Sequence, residues 1–392
     1  MTSSAADATR RRHALPRSGW RPMLTATFGP PLVAFVAGWL LVAWRTAGSV
    51  RAAFDTATWV RRDSGQYLKI ASYGYRASTN CAGAPAARGH VAHLCGNVTW
   101  LPGYPAFLKL VSLFGLSLPA AGLLVAWLFW FLALVMVWVL TADARTSARW
   151  MCLLLAAVFP GQVYFAAVFP IGMCMFFVLL AIYAATKSGR MWLCAVASCI
   201  ATATYVPAFA LLPAFVVAAV VFRGRRRVVV PCLAGIVGML VGIGAVLAYA
   251  QFAVGKWDAY LITEREEYGV QFHAPWQTFF DHVRPLRTSV IARQSVLVAV
   301  LVVAALVCTA VRFYRARELG SLDVVLLVTT VAAWLIPYMG GGSLSIYRSE
   351  ACVLPVVVLL RRLPWWALAV AVGGAAWVAY GLAPLFENNT LV

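Results

Sequence analysis

"VVPCLAGIVGMLVGIGAVLAYAQFA", residues 229–253, carries no charged side chain. An α-helix rises about 1.5 Å per residue, so a run of this length can cross the roughly 30 Å hydrocarbon core of a bilayer. One residue, Val228, separates it from "RGRRR" at 223–227. The same alternation of apolar run and short basic connection recurs outward in both directions. Apolar segments lie at 101–118, 119–141, 150–168, 169–186, 191–222, 290–311, 322–340, 350–360 and 363–386. Of the 392 residues, 62% are hydrophobic and only 11% charged, against about 25% charged in soluble domains. The fold class is therefore all-α and polytopic. The runs lack the two-residue alternation of an outer-membrane barrel. Several are shorter than a span requires, so about 9 to 12 passes are expected. The 191–222 run has a natural break at Tyr205-Val206-Pro207, giving two half-length passes or a bent re-entrant pair. Gly235, Gly238, Gly242 and Gly244 make a small-residue face, with a GxxxG spacing suited to close helix packing.

The formal net charge is +19. It sits mostly in the connections, which points to topology and anionic lipid rather than nucleic acid. Residues 1–22 form a basic tail containing "RRR" at 10–12. The run Pro30–Trp44 reads as the core of a retained first helix at the start of a single membrane domain, 23–386. The positive-inside rule then puts the tail in the cytoplasm. "KSGR" at 187–190, "RGRRR", "RFYRAR" at 312–317 and "RR" at 361–362 fall on the same side. Three polar segments face the other side: a first loop at 48–100, a second at 254–289 and a third at 341–349. One element between 101 and 149 must be re-entrant for the parity to hold. High Ala, Val, Arg, Trp and Gly usage fits a GC-rich bacterial genome and the plasma membrane of such a cell.

More than half of the 13 acidic residues lie in these outer segments. They include Asp63, Asp258, Glu264, Glu266, Glu267 and Asp281, with Glu350 at the edge of the third segment. Residues 51–75 read as an amphipathic surface piece, with Phe54, Trp59, Tyr67, Ile70 and Ala71 along the bilayer. Asp63 sits among them, where an acid needs a partner or a task. Cys81 and Cys95 bracket a polar stretch. On an oxidising side they suit a disulfide; with His90 and His93 they also sketch a metal site, though the spacing matches no zinc pattern. The other seven cysteines fall in or beside apolar runs as small core residues. Asn97-Val98-Thr99 and Asn388-Asn389-Thr390 fit the glycosylation acceptor pattern.

Such an arrangement suits chemistry on a lipid-linked substrate. The hydrocarbon stays among helices, and the head meets loop acids and cations. A carboxylate can take a proton from an attacking hydroxyl, and an arginine can hold a phosphate through charge-assisted bonds.

Several motifs carry a family likeness. Asp63-Ser64-Gly65-Gln66-Tyr67 is followed by Ile70-Ala71 and Gly74-Tyr75, shortly after the first helix. Leu101-Pro102-Gly103-Tyr104-Pro105 comes next. His273-Ala274-Pro275-Trp276 and Tyr347-Arg348 with Pro355 complete the set. In these the chain resembles the PIG-V family, the GPI mannosyltransferase 2 type and its bacterial relatives, within the GT-C glycosyltransferase group. The likeness covers about residues 30–385. It departs at Arg62, where the family commonly has Trp, and at Val168-Phe169-Pro170-Ile171, where the family often has a Tyr-Ser-Glu set. The resemblance implies inverting transfer of a sugar, typically mannose, from a polyprenyl-phosphate donor to a glycolipid or protein acceptor outside the cytoplasm. It assigns the base to Asp63 and the leaving phosphate to Arg348, helped by Lys256 or Arg265. Tyr67, Tyr75, Trp257 and Trp276 are candidates for stacking on sugar or for the interface belt. His273 is a candidate for phosphate or sugar. No cofactor is required by this scheme. Some GT-C relatives use a divalent metal, for which His273 with Glu266 or Glu267 is the opening. A lipid or solute transporter and a non-catalytic membrane partner are the competing readings. Few charges fall at mid-membrane, where a coupling-ion site is expected.

Overall fold

The computed structural model describes residues 20–79, 81, 94–341 and 346–388. The fold is all-α. It opens with α1 (Trp20–Ala47), then after two single turns α2 (Ser64–Tyr73) and α3 (Gly103–Ser112). Next come α4 (Leu118–Leu140), α5 (Ile171–Tyr183), α6 (Met191–Thr204), α7 (Leu211–Val221) and α8 (Arg226–Val254). Two shorter helices, α9 (Ala259–Glu266) and α10 (Pro275–Val283), precede α11 (Val290–Ala316) and α12 (Ser321–Met339). The one-turn α13 (Ile346–Glu350) and the long α14 (Trp365–Glu387) end the chain. Among the described residues, seven helices are long and apolar enough to cross a membrane: α1, α4, α5 with its continuation to Ser188, α8, α11, α12 and α14. Two shorter apolar helices, Met191–Thr204 and Val206–Val221, accompany them.

Four of the eleven expected apolar segments, the 191–222 run and three others, are not single long helices, which leaves seven. In the first of the three, α3 has ten residues and begins after Pro102. In the second, the helix Thr146–Ala157 stops just before Pro160 and Gly161, whose φ of +81° lies in the left-handed region. In the third, residues 351–362 split into short 3-10 and α turns around Pro355. Irregular backbone persists at membrane depth only where protein covers it. Residues 155–170 and 351–361 are indeed all buried.

The 191–222 run breaks where its prolines and aromatic suggest. α6 ends at Thr204, and a 3-10 turn, Val206–Ala210, leads into α7. Gly189, before α6, lies against Arg227, at the start of α8. The excursion therefore leaves and returns at one end of the molecule. The glycine face of α8 allows close contact with α6. A Cβ on Gly238 would stand 2.1 Å from the Ala195 carbonyl oxygen, and one on Gly242 would stand 2.3 Å from Thr202 Oγ1.

Residues 346–362 form a buried spine pinned at both ends. At one end the Glu350 carboxylate accepts from the Tyr338 hydroxyl at 2.6 Å and from Gln294 Nε2 at 2.9 Å. Gln294 also donates to the Tyr347 carbonyl at 2.6 Å. At the other end Arg361, 2% exposed, bridges Asp143 at 2.9 Å and Asp323 at 2.8 Å, and Arg312 also contacts Asp323. Buried charges need such partners.

The segment 51–75 differs from the surface piece expected of it. Trp59 is fully buried, and Tyr67, Ile70 and Ala71 are buried too. Trp59 Nε1 donates to the Ala53 carbonyl at 2.8 Å, and the Val168 N–H donates to the Trp59 carbonyl at 3.2 Å. Of the five residues assigned to the bilayer surface, Phe54 alone is exposed. The helix bundle, rather than lipid, covers the apolar face.

Beyond α2, Ala77–Ser78 pairs antiparallel with Cys95–Gly96, and Cys81 is disulfide-bonded to Cys95. The bridge resolves the cysteine pair in favour of the disulfide; His90 and His93 lie outside the described residues. Asn97 is buried. Its amide donates to the Gly74 carbonyl at 3.2 Å and accepts from the Arg76 N–H at 2.7 Å. That side chain is a structural clasp between the chain at 74–76 and the segment after the bridge. In the second triplet Asn388, the acceptor position, is exposed, and Asn389 and Thr390 lie outside the described residues.

Candidate active site

Asp63 immediately precedes α2. Its side chain makes no capping bond to the helix, and it contacts the Arg348 guanidinium instead. Arg62 holds a left-handed backbone, φ 48°. Such a conformation is uncommon outside glycine and tends to cluster at functional sites. It turns the chain sharply just before the acid. Arg348 comes from the opposite end of the sequence on α13, whose position the Glu350 latch sets. Its guanidinium carbon lies 5.9 Å from the centre of the Phe169 ring. Phe169 thus offers an aromatic face to the arginine.

The pair lines a cavity of about 530 Å³, within the size range of small-molecule sites. Tyr67 and Gln66 of α2, the Tyr205–Pro207 break, Tyr260 and Glu264 of α9, and the last turn of α12 complete the wall. The Tyr67 ring meets Tyr104 edge-on at 5.5 Å and Phe169 at 6.1 Å. Burial pushes the Tyr67 phenol well above its ordinary range, so it remains a hydroxyl. Burial also pushes the Glu264 carboxyl up to about 7, partly opposed by the hydroxyl of Tyr260 one turn earlier. A second acid thus faces the same cavity in a form that is neutral below about pH 7.

Of the nine residues expected to act, the cavity brings together Asp63, Tyr67 and Arg348. His273 stands at its edge. The His273 N–H donates to the Met339 carbonyl at 2.9 Å, and its ring packs on the cavity-lining Gly341, where a Cβ would approach to 2.0 Å. Tyr75 is buried behind the wall, its hydroxyl donating to the Trp100 carbonyl at 3.0 Å. It supports Trp100, which does line the cavity. Lys256, Trp257, Arg265 and Trp276 are exposed and do not line it. Arg265 pairs with Glu266 at 3.6 Å. Among the described residues no three His, Cys, Asp or Glu side chains gather as metal ligands, and Glu266, Glu267 and His273 form no such set.

In the sequence Asp63 stands out among the outer acids, whereas Glu264 reads as an ordinary loop charge and is not paired with Tyr260. Their i, i+4 spacing on a short helix was the available signal. Tyr205 is another wall residue that the sequence marks only as a helix break.

No family model matches the chain, and comparison with curated proteins finds no match. What fold and composition show is a multi-pass helical membrane protein.

Proposed function

We propose that this protein is a glycosyltransferase using a polyprenyl-phosphate sugar, in the sense of an inverting mannosyltransferase acting outside the cytoplasm. The observation that carries the reading is the Asp63–Arg348 pair, a carboxylate and a guanidinium side by side on the wall of a cavity at one end of an apolar bundle. The two groups match the two demands of the reaction. Asp63 accepts the proton of an acceptor hydroxyl. That oxygen attacks the anomeric carbon from the face opposite the phosphate, and the bond from carbon to phosphate oxygen breaks. The polyprenyl phosphate departs with the electron pair, and Arg348 holds its charge. Donor binding separates the ion pair, releasing the carboxylate for the acceptor proton. Phosphate is already a good leaving group, so no strong general acid is needed.

The resemblance to PIG-V at Asp63-Ser64-Gly65-Gln66-Tyr67 and Leu101-Pro102-Gly103-Tyr104-Pro105 supports the same assignment. The Cys81–Cys95 bridge supports an oxidising environment for the cavity side. The basic connections support a cytoplasmic opposite side and N-terminus, in a bacterial plasma membrane. The donor is polyprenyl-phosphate-mannose or a similar lipid-linked sugar, and the acceptor a glycolipid or protein. Tyr67 and Trp100 form the sugar-facing wall. Exposed Lys256, Trp257, Arg265 and Trp276 meet lipid headgroups at the interface.

Purified protein in liposomes, given polyprenyl-phosphate-[14C]mannose and a membrane lipid extract, tests the reading. Label transferred into a new lipid or protein product is expected. Donor that crosses the bilayer with its sugar-phosphate bond intact would point to transport instead.

A further inference from the structure

The chain alone does little to hold α10 as a helix. It has nine residues, no side-chain cap at its start and no buried residue. Helices shorter than about 12–15 residues are marginal in water and need an apolar face covered. On one side the protein covers it. Phe279 meets Tyr338 at 5.4 Å and Trp334 at 5.9 Å, both edge-on, and the His282 ring lies 6.4 Å from that of Tyr338. On the other side Trp276 and Phe280, one turn apart, are 64% and 66% exposed. Arg284 and Arg287 follow, both exposed, and Asp281 is the one acid in 275–287.

Position says what covers the second face. Residues 284–289 alone separate α10 from Val290, where the span α11 begins. Just before α10 the chain is tied to the end of the span α12. The Gln271 N–H donates to the Gly340 carbonyl at 3.1 Å, and the His273 N–H to that of Met339 at 2.9 Å. α10 therefore lies where two spans end, at the depth of the lipid headgroups. Tryptophan, phenylalanine and arginine are side chains suited to that layer.

The inner side of α10 gives this contact a consequence. Tyr338, on which Phe279 packs, donates to the carboxylate of Glu350, two residues from Arg348. We infer that Trp276 and Phe280 seat α10 in the headgroup layer of an anionic bilayer, and that this seat, through Phe279 and Tyr338, keeps the Glu350 latch closed and Arg348 in the cavity. The cavity wall is then complete only on a membrane surface. What Arg348 does there rests on the glycosyl-transfer reading; where it stands does not, so the test uses no donor.

Amide hydrogen exchange is followed by mass spectrometry in full-length protein, in nanodiscs of phosphatidylcholine alone or mixed with phosphatidylglycerol. Exchange of residues 275–283 should slow about fivefold in the anionic bilayer, the effect of one net basic charge at such a surface. Exchange of 346–350 should slow with it. In Trp276→Ser/Phe280→Ser both segments should exchange faster than in wild type and respond little to the lipid. In Phe279→Ala, α10 should keep its response while 346–350 loses its own. Thermal unfolding shows whether each variant is folded. If Phe279→Ala is not, the exposed double variant decides, by whether 346–350 follows α10. Equal exchange of α10 in the two bilayers overturns the anionic seat. Exchange of α10 unchanged by the double variant overturns it too, and means that protein contacts alone hold the helix. An α10 response that 346–350 does not follow, or follows in Phe279→Ala as in wild type, overturns the link to Arg348. None of these results touches the glycosyl-transfer reading, which the liposome assay decides.

Discussion

Asp63 and Arg348 are 285 positions apart in sequence and in contact in the fold. Each was legible separately, Asp63 as a scarce acid after the first helix and Arg348 through the family likeness. Their pairing was not legible, because no local periodicity encodes a contact between the two ends of a chain. Glu264 shows the same limit from the other side. Its acidity depends on how thoroughly the fold encloses it, which the sequence leaves open. With its carboxyl pushed up to about 7 by burial, Glu264 is neutral below that pH and gains a negative charge above it. An added anion in the cavity repels a phosphate donor. The apparent KM for donor should therefore rise as pH passes upward through about 7, while Glu264→Gln should hold a low KM across the range. A wild-type KM that stays flat from pH 6 to pH 8.5 would remove Glu264 from donor binding.

The helices divide into those whose length and composition identified them and those that required the tertiary fold. The run at 229–253 became α8, and Gly235, Gly238 and Gly242 pack closely as their spacing suggested, whereas Gly244 meets nothing. The run at 150–168 did not become a span, because helix and irregular backbone have the same hydropathy when protein surrounds both. For residues 51–75 the amphipathic pattern was real, but periodicity cannot say whether lipid or protein covers the apolar side. Two predictions belong to this scale. Gly238→Val forces a side chain into the Ala195 backbone. It should destabilise by about 1–3 kcal/mol, as overpacking does, seen as a lower thermal midpoint in detergent. Gly244→Val, with no atom within 4 Å of its Cβ position, should change the midpoint much less. Equal effects would mean that the α6–α8 contact does not govern the glycine face. Cys81→Ser opens a bridge between residues 14 apart. A loop of this size is stabilised by about 3 kcal/mol, so the variant should unfold earlier than wild type. Wild type in strong reductant should match the variant, and a variant as stable as oxidised wild type would show the bridge to be dispensable.

At the scale of the whole molecule, residues 346–362 connect two polar networks through an apolar interior. The Glu350 latch positions Arg348 at one end, and Arg361 joins Asp143 and Asp323 at the other. The general class, many helices with basic connections grouped at one end, was legible from composition. The spine was not, since its broken backbone reads as one more apolar run. Arg361→Ala removes the buried cation shared by Asp143 and Asp323 and leaves Asp323 to the more exposed Arg312, and breaking a buried pair costs up to about 3–5 kcal/mol. Arg362→Ala, removing a half-exposed arginine, should cost no more than about 1 kcal/mol. Thermal unfolding of the two variants, side by side, checks the contrast. Similar small losses in both would mean that the Arg361 network does not anchor the spine.

The most direct measurement compares wild type with Asp63→Asn in the liposome transfer assay, with donor binding followed separately. Removing a general base typically lowers the rate by a factor of about 100 to 10,000. The account predicts a loss of labelled product on that order, with the variant still folded and still binding donor. Equal rates of product formation from wild type and Asp63→Asn would contradict it.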